Sequence, residues 1–278
     1  MDAYAADPHR AYWESVLEER YDLRGTGFPD LPLSWNRWLY RQMRGSVDRL
    51  LARNNLTSRI ADASVLDIGS GVGHWLQYWT DHRAASLQGG DLTATAVKEL
   101  RRRFPDVPMA AVDIGLPDPP FQGRYDVISM MAVLQHIADD VRWRQALVNL
   151  GALLADGGAG IIIDTLLVHR MWVDPKPEGG LSWSRSKAEW EDALADAGLV
   201  IVDRVPTTFT LAVGGDTAHA VTSRAWRRYW RVVQKITSGH EISGQVGGGL
   251  AYGVDQLLVR SGLPGVTSKT FLVRHRSA

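Results

Sequence analysis

The chain contains 278 residues, and its 31 basic and 31 acidic side chains leave it without net charge. Proteins that bind nucleic-acid phosphates usually carry a basic excess, so this balance argues against a nucleic-acid partner. Cysteine is absent, which excludes disulfides, cysteine-based zinc sites and a thiol nucleophile, and no metal is expected. The N-terminus lacks the apolar stretch of a signal peptide, and no run approaches the roughly 18 apolar residues of a membrane span. We therefore expect a cytoplasmic protein without a membrane partner.

The first part of the chain is predicted to be helical and aromatic. Residues 7–20 are predicted as one helix, which ends before the Gly- and Pro-containing residues 24–29. Apolar side chains between Trp35 and Leu51 recur at steps of three and four, which places them on one face of a second helix. Residues 1–58 are therefore predicted to form a helical extension, or lid.

Strands alternate with helices from residue 64 onward. Strands are predicted at 64–68, 87–90, 109–112, 126–131, 160–164, 199–205 and 270–273, and helices near 74–84, 94–104, 138–154 and 187–197. This alternation predicts an α/β fold with a doubly wound, mostly parallel sheet, formed by residues 59–213 and 267–278. Residues 214–266 are predicted as a helical insertion, with helices at 217–237 and 249–261 joined by the Gly-rich segment Gly244–Gly249.

A short apolar strand at residues 64–68 leads into a turn with glycine at alternate positions, Gly69, Gly71 and Gly73. Glycine lets the backbone turn tightly and approach a ligand closely, and the N-terminus of the following helix offers N–H groups to a carboxylate. Asp67 at the strand end suits an ammonium group. A ligand with both charges, such as an amino-acid moiety, fits this combination.

Two further carboxylates follow the next strands. Asp91 lies 20 residues after Gly71, where a carboxylate can bind ribose hydroxyls, and Asp113 is placed to accept from an adenine amino group. A dinucleotide site would need its third glycine where His74 stands, which disfavours a nicotinamide dehydrogenase. The carboxyl ends of parallel strands meet at one edge of the sheet, so these groups are expected to share one site.

The segments VLDIGSGVG, GGDLTATAV, AAVDIG, YDVISMMAVLQHI and GGAGIIIDTLL resemble the class I S-adenosylmethionine-dependent methyltransferases, over about residues 60–205 and the last strand. The resemblance implies a Rossmann-like, seven-stranded sheet with a reversed final strand. It also implies S-adenosylmethionine as cofactor and S-adenosylhomocysteine as product. The cofactor-binding residues that it implies are Asp67, Gly69, Ser70, Gly71, Gly73, Asp91, Leu92, Asp113, Ile114, Met130 and Gln135.

His136, just beyond the fourth strand, is the leading candidate for a catalytic base, although a histidine there can also simply pack beside the cofactor. Tyr21 is the second candidate, because it begins the loop 21–32 that would close the site. Asp164, His169 and His240 are weaker candidates.

The aromatic side chains of the first part of the chain fit a lid over an apolar substrate, or the packing of the added helices on the sheet. They are Tyr12, Trp13, Tyr21, Trp35, Trp38 and Tyr40. The predicted substrate pocket consists of Tyr12, Trp13, Trp35, Trp38 and His169.

These features favour a small-molecule methyltransferase of bacterial secondary metabolism with a bulky apolar acceptor. The sequence does not decide whether the atom that accepts the methyl group is oxygen, nitrogen or carbon. Methylation of a prenyl alkene would give a carbocation that aromatic faces stabilise, followed by terpene cyclisation, as in bacterial C-methyltransferases of the teleocidin type. The N-terminal helices are a candidate element for homo-oligomerisation.

Two features bear on the alternatives, a nucleic-acid or protein methyltransferase and a non-catalytic cofactor-binding protein. Residues 118–121, DPPF, are similar to a signature of amino-methylating nucleic-acid enzymes, but they precede the fourth strand instead of following it and are predicted as a loop. Cations alternate with aromatics over residues 224–231, which favours a solvated basic face over an apolar stripe more than a binding surface.

Overall fold

The computed structural model describes residues 8–169, 182–212, 216, 220–263, 265 and 268–276. Within these residues the chain forms helices on both sides of one sheet. The helices are α1 (Pro8–Glu19), α2 (Leu33–Arg53), α3 (His74–Asp81), α4 (Ala94–Arg103), α5 (Asp140–Leu153), α6 (Lys187–Asp196), α7 (Ala220–Thr237) and α8 (Glu241–Arg260). The strands are β1 (Ser64–Ile68), β2 (Ser86–Asp91), β3 (Met109–Ala111), β4 (Tyr125–Met131), β5 (Leu154–Leu167), β6 (Arg185–Ser186), β7 (Leu199–Pro206) and β8 (Ser268–His275).

The main sheet has the order β3-β2-β1-β4-β5-β8-β7, and the two-residue β6 pairs with β5. Strand β8 runs antiparallel to both β5 and β7, whereas the other pairings are parallel. This topology confirms the predicted fold class and the reversed last strand. The strand order changes direction between β1 and β4, and open α/β sheets bind ligands at the carboxyl ends of strands beside such a switch.

Alternate residues of the central strands face opposite cores, as the two-residue period of a strand requires. Val65 and Val127 belong to the core beneath α2, and Leu66, Ile128 and Ile162 belong to the core beneath α5 and α6. Both faces are therefore buried, which explains why the strands read as continuous apolar runs in the sequence. This rigid sheet fixes the position of the loops at its carboxyl edge.

Strand β5 is longer than the predicted 160–164. Its pairing with β4 begins at Leu154, opposite Tyr125, and its pairing with β8 extends to Thr165, opposite Ser268. The apolar run in the sequence covers only the middle of β5. Pairing with β4 and β8 extends the strand at both ends into segments that contain polar residues.

The insertion differs from its prediction. The turn lies at Ser238–His240, and the Gly-rich segment lies inside α8. A Cβ on Gly244 would lie 2.5 Å from the Ser34 Oγ, and a Cβ on Gly248 would lie 2.8 Å from the Trp38 Cδ1. The glycines therefore allow α8 to cross α2 at close range instead of forming a linker. The first predicted residues of this helical region, 217–219, lie outside the described residues.

Helix α7 places its cations on the outside. Arg227, Arg228 and Arg231 are exposed, while Trp230 and Val233 are buried against the rest of the protein. This is the arrangement of a basic face over an apolar stripe. Among the described helices, none combines the length and the apolar character that crossing a membrane would require.

Candidate active site

A cavity opens at the carboxyl ends of β1 to β4. It contains about 960 Å³ of space, part of it open to solvent. Nine of the predicted site residues line it: Trp13, Gly69, Ser70, Gly71, Asp91, Leu92, Asp113, Ile114 and His136. The sheet edge thus brings together the parts that the sequence places after four different strands.

The glycine turn after β1 forms one wall of the cavity. Gly69, Gly71 and Gly73 have φ angles of 72°, 51° and 79°, a region that favours glycine. A Cβ on Gly69 would meet the Val133 Cγ2 at 2.3 Å. The Gly69 amide donates to the Gly90 carbonyl at 2.7 Å, which ties the turn to the end of β2. Gly73 packs toward α4 and does not line the cavity.

Asp67 lies beneath the glycine turn, is almost fully buried and does not itself line the cavity. Its Oδ1 accepts from the Ser129 hydroxyl at 2.6 Å, whereas its Oδ2 has no hydrogen-bond partner among the described residues. Burial raises the pKa of Asp67 to about 7. A buried carboxylate oxygen without a partner favours the approach of a cationic group.

Asp91 is held in one orientation at the end of β2. Its Oδ1 accepts from the Thr93 amide at 2.9 Å and the Thr93 hydroxyl at 2.7 Å, and its Oδ2 accepts from the Gly71 amide at 2.8 Å. Burial raises the pKa of this carboxyl group. The Asp91 carboxylate therefore connects the glycine turn to the N-terminus of α4.

Asp113 follows β3 and faces the same cavity beside Ile114. One carboxylate oxygen accepts from the Gly115 amide at 2.9 Å, and the other pairs with the Arg142 guanidinium of α5. The side chain is thus oriented by two groups of its own protein.

Helix α1 lies across the mouth of the cavity. The Trp13 ring meets the His136 ring edge-on, with centroids 4.7 Å apart. The Glu14 carboxylate accepts from the amides of Ala94 and Thr95, both at 2.8 Å, and so caps α4. Burial acts to raise the pKa of Glu14. The hydrogen bonds from Thr95 and Ala94 outweigh this effect, so the pKa is lowered overall. One helix therefore contacts both the His136 side and the Asp91 side of the cavity.

The loop after α1 covers the glycine turn. The Tyr21 hydroxyl donates to the Gly71 carbonyl at 3.0 Å, so Tyr21 contacts the turn and does not line the cavity. Burial raises the pKa of Tyr21. The Tyr40 hydroxyl, in contrast, donates to the Thr26 carbonyl at 2.8 Å while its ring lines the cavity. Burial raises the pKa of Tyr40 to about 12.

Trp35 and Trp38 lie outside the cavity, contrary to the predicted substrate pocket. The Trp35 indole donates to the Leu211 carbonyl at 3.3 Å, and its ring is buried beside Trp230 of α7. The Trp38 indole donates to the Gln245 carbonyl of α8 at 3.1 Å. Both rings pack α2 against the insertion, because α2 turns this face away from the sheet edge.

The remaining predicted residues lie around the cavity without lining it. Tyr12 packs edge-on against Trp13 at 5.2 Å. Met130 is fully buried in β4. The Gln135 amide lies 3.3 Å from the His136 Nε2. His169 is exposed, and its backbone amide donates to Asp216.

The two other weak candidates also stand outside the lining. Asp164 is buried in β5, with an Oδ2 that lacks a partner among the described residues, and burial raises its pKa to about 7. His240 precedes α8 at its N-cap.

His74 and Trp75 line the cavity although the sequence did not single them out as site residues. The His74 ring packs edge-on against Tyr40 at 4.6 Å, and burial lowers the pKa of His74 to about 4, so its imidazole is neutral. The sequence feature that could have identified them is their position directly after Gly73, at the start of the helix that borders the site.

The two ends of the cavity differ in charge. The end at β2 and β3 carries the carboxylates of Asp91 and Asp113. The opposite end, among the described lining residues, has no charged carboxylate, lysine or arginine side chain. It includes Trp13 beside His136, and Tyr40 and Trp75 in one core cluster with Met131 of β4, together with His74 and Val133. Leu17 also lines the cavity but packs toward α4. Within the described part of the chain, no three acidic or histidine side chains cluster as metal ligands.

A family model described as a methyltransferase domain matches residues 35–204. The match spans more than half of the chain, so the protein belongs to this methyltransferase family. Among solved structures, it is similar to magnesium protoporphyrin IX methyltransferase (ChlM) from Synechocystis PCC 6803 with bound SAM. The TM-score is 0.54 at 19% identity, over 76% of this chain and 95% of that chain.

The same enzyme with bound SAH gives a TM-score of 0.53 at 18% identity, over 72% of this chain and 91% of that chain. These TM-scores show a shared fold, and at identities of this size the likeness shows the fold alone. A search of curated proteins finds no match.

Proposed function

We propose that the protein transfers the methyl group of S-adenosylmethionine to a neutral, largely apolar small molecule. The observation that carries the proposal is the asymmetric cavity, with carboxylates at one end and aromatic and aliphatic side chains at the other. When bound, S-adenosylmethionine supplies an activated methyl group. The chain's own residues then have to orient the acceptor and exclude water.

The residues of the first end fit this cofactor. Asp67, behind the turn, has an unpartnered buried oxygen suited to an ammonium group, and the positive φ angles of Gly69 and Gly71 bring the backbone of the turn to the wall of the cavity. Asp91 is held rigidly where it can accept from ribose hydroxyls, and Asp113 with Ile114 borders the place for an adenine ring. Leu92 and Ser70 also line this wall.

The second end fits an acceptor without charge. A carboxylate placed among Trp13, Tyr40 and Trp75 would lose its hydration without gaining a partner. The neutral His74 can exchange a hydrogen bond with a polar atom of the acceptor through its buried Nε2, which has no partner among the described residues. The same aromatic faces would stabilise positive charge on carbon. Methylation at carbon, including a prenyl alkene followed by cyclisation, is therefore the finer form of the proposal.

We propose His136 as the group that removes a proton from the acceptor. It lies at the acceptor end, and Trp13 and Gln135 hold its ring. General-base catalysis contributes typically ~10²–10⁴-fold, so His136→Ala should lower kcat by at least about a hundredfold with unchanged cofactor affinity. Near-normal turnover would remove His136 from the mechanism. Tyr21→Phe tests the loop in the same assay, with a smaller expected loss because Tyr21 contacts the glycine turn.

The proposal is tested by mass spectrometry of acceptors after incubation with S-adenosylmethionine. The acceptors are tested as pairs of hydrophobic ring compounds, one with a carboxylate and one without. Only the neutral compound of each pair should gain one methyl group. Trp13→Ala should raise the KM of the neutral acceptor, whereas Trp226→Ala on α7 should not. Preference for the charged member would overturn the proposed acceptor class.

A further inference from the structure

The outward face of α8 is apolar and uncovered. Its stripe consists of Ile242, Val246, Leu250, Val254 and Leu257, which recur at steps of four and three and are between 45% and 82% exposed. The opposite face of the helix packs on α2 through buried glycine and alanine. The helix is thus anchored on one side and presents the α8 stripe on the other.

The α8 stripe is large enough to form one half of a protein–protein interface. Its five side chains expose on the order of 600 Å², so two copies would bury roughly 1,200 Å², the lower end of the range for stable protein interfaces. Contiguous apolar patches of this size on a protein surface usually mark an interaction site.

The spacing within α8 is self-complementary. In two antiparallel copies related by a twofold axis between Gly249 and Leu250, each Leu250 lies opposite Gly249 of the second copy. In the same register Val246 lies opposite Gly253, where the structure has nothing within 4 Å of an added Cβ. Ile242 lies opposite Leu257. Large side chains therefore meet glycines near the axis, which lets the helices approach closely, and a twofold axis makes both halves of the contact identical.

We propose that the protein forms a homodimer in which α8 pairs antiparallel with α8 of a second copy. A lipid surface fits the stripe less well. Helices that lie on membranes carry lysine and arginine along their polar face, whereas α8 has none between Glu241 and its last residue, Arg260.

The oligomeric state provides the first test. Light scattering after size-exclusion chromatography should give twice the 30.8 kDa chain mass for the wild type and for Val141→Lys, an exposed apolar residue on α5. Leu250→Lys should give the monomer mass while its circular-dichroism spectrum stays that of the folded wild type, and its Tm should no longer depend on protein concentration. A monomeric wild type, or a dimeric Leu250→Lys, would overturn the proposal.

The absence of cysteine allows a test of the register. Leu250→Cys lies at the axis and should form an intermolecular disulfide under mild oxidation. Ile242→Cys should not, because its two copies would lie about 22 Å apart along the helices. The double variant Ile242→Cys with Leu257→Cys should cross-link again. Cross-linking of Ile242→Cys alone, or binding of monomers to phosphatidylglycerol vesicles, would contradict the antiparallel pairing.

Discussion

If the proposed function holds, Asp67 should make cofactor binding sensitive to pH. Burial raises the pKa of this carboxyl group to about 7 in the ligand-free protein, so at pH 6 it mostly holds a proton, which an ammonium group would have to displace. Affinity for S-adenosylmethionine should therefore rise up to about tenfold between pH 6 and pH 8. Titration calorimetry in buffers of different ionisation enthalpy should show proton release at pH 6.

Asp67→Asn should remove this pH dependence and weaken binding throughout. Asp126→Asn, at the opposite edge of the sheet, should leave both the affinity and its pH dependence unchanged. Equal affinity of the wild type at the two pH values would count against Asp67 as the ammonium partner.

Asp164 should affect stability instead of binding. Because its pKa is raised to about 7 from an ordinary value of 3.8, its contribution to stability is fully present below pH 4 and is lost as the pH rises through 7. Asp164→Asn cannot ionise, so it should raise the free energy of unfolding at pH 8, by at most about 4 kcal/mol, and have little effect at pH 4.

Denaturant unfolding at the two pH values measures this difference. Asp126→Asn serves as the control of opposite sign, because hydrogen bonds from Ser64 lower the pKa of Asp126. An Asp164→Asn protein that is less stable than the wild type at pH 8 would refute the argument.

At the scale of elements, Glu14 adds hydrogen bonds to the apolar packing of α1 on α4. Glu14 accepts from the first amides of α4, and caps of this kind contribute about 1 kcal/mol. Glu14→Gln should therefore speed the release of S-adenosylhomocysteine several-fold, because α1 lies over the cavity. Stopped-flow tryptophan fluorescence measures this rate, with the exposed Glu18→Gln as the matched control. Identical release rates would mean that α1 does not limit exit from the site.

The order and type of the core elements follow from the sequence. The apolar runs and the alternate glycines are local signals that depend on neighbouring residues. The placement of Asp91 and Asp113 at one cavity follows as well, because parallel strands end at the same edge.

Contacts between distant elements could not be predicted in the same way. Gly244 and Gly248 read as a linker, since nothing local shows that α2 crosses the helix there. Trp35 and Trp38 looked like pocket residues because the position of the insertion was unknown. His74 and Trp75 were missed as lining residues because a helix start gives no information on which cavity it borders.

At the scale of the molecule, the N-terminal extension and the insertion pack on each other. The Glu241 carboxylate at the start of α8 accepts from the amides of Leu33 and Ser34 at 3.0 and 2.9 Å, and the Gln256 amide donates to Gln42 at 2.6 Å. We therefore propose that residues 1–58 and 214–266 act as one helical cap on the α/β core. Since α1 packs on α4 of its own chain, α8 is the better candidate for contact between copies than the N-terminal helices.

The most direct measurement is calorimetric titration of the protein with S-adenosylmethionine and S-adenosylhomocysteine. Both should bind to the wild type and to the surface variant Asp106→Ala, and Asp91→Ala should weaken both by at least about tenfold, or ~1.4 kcal/mol. Folded protein that binds neither ligand, or an Asp91→Ala variant with wild-type affinity, would contradict the cofactor site at the carboxyl edge of the sheet.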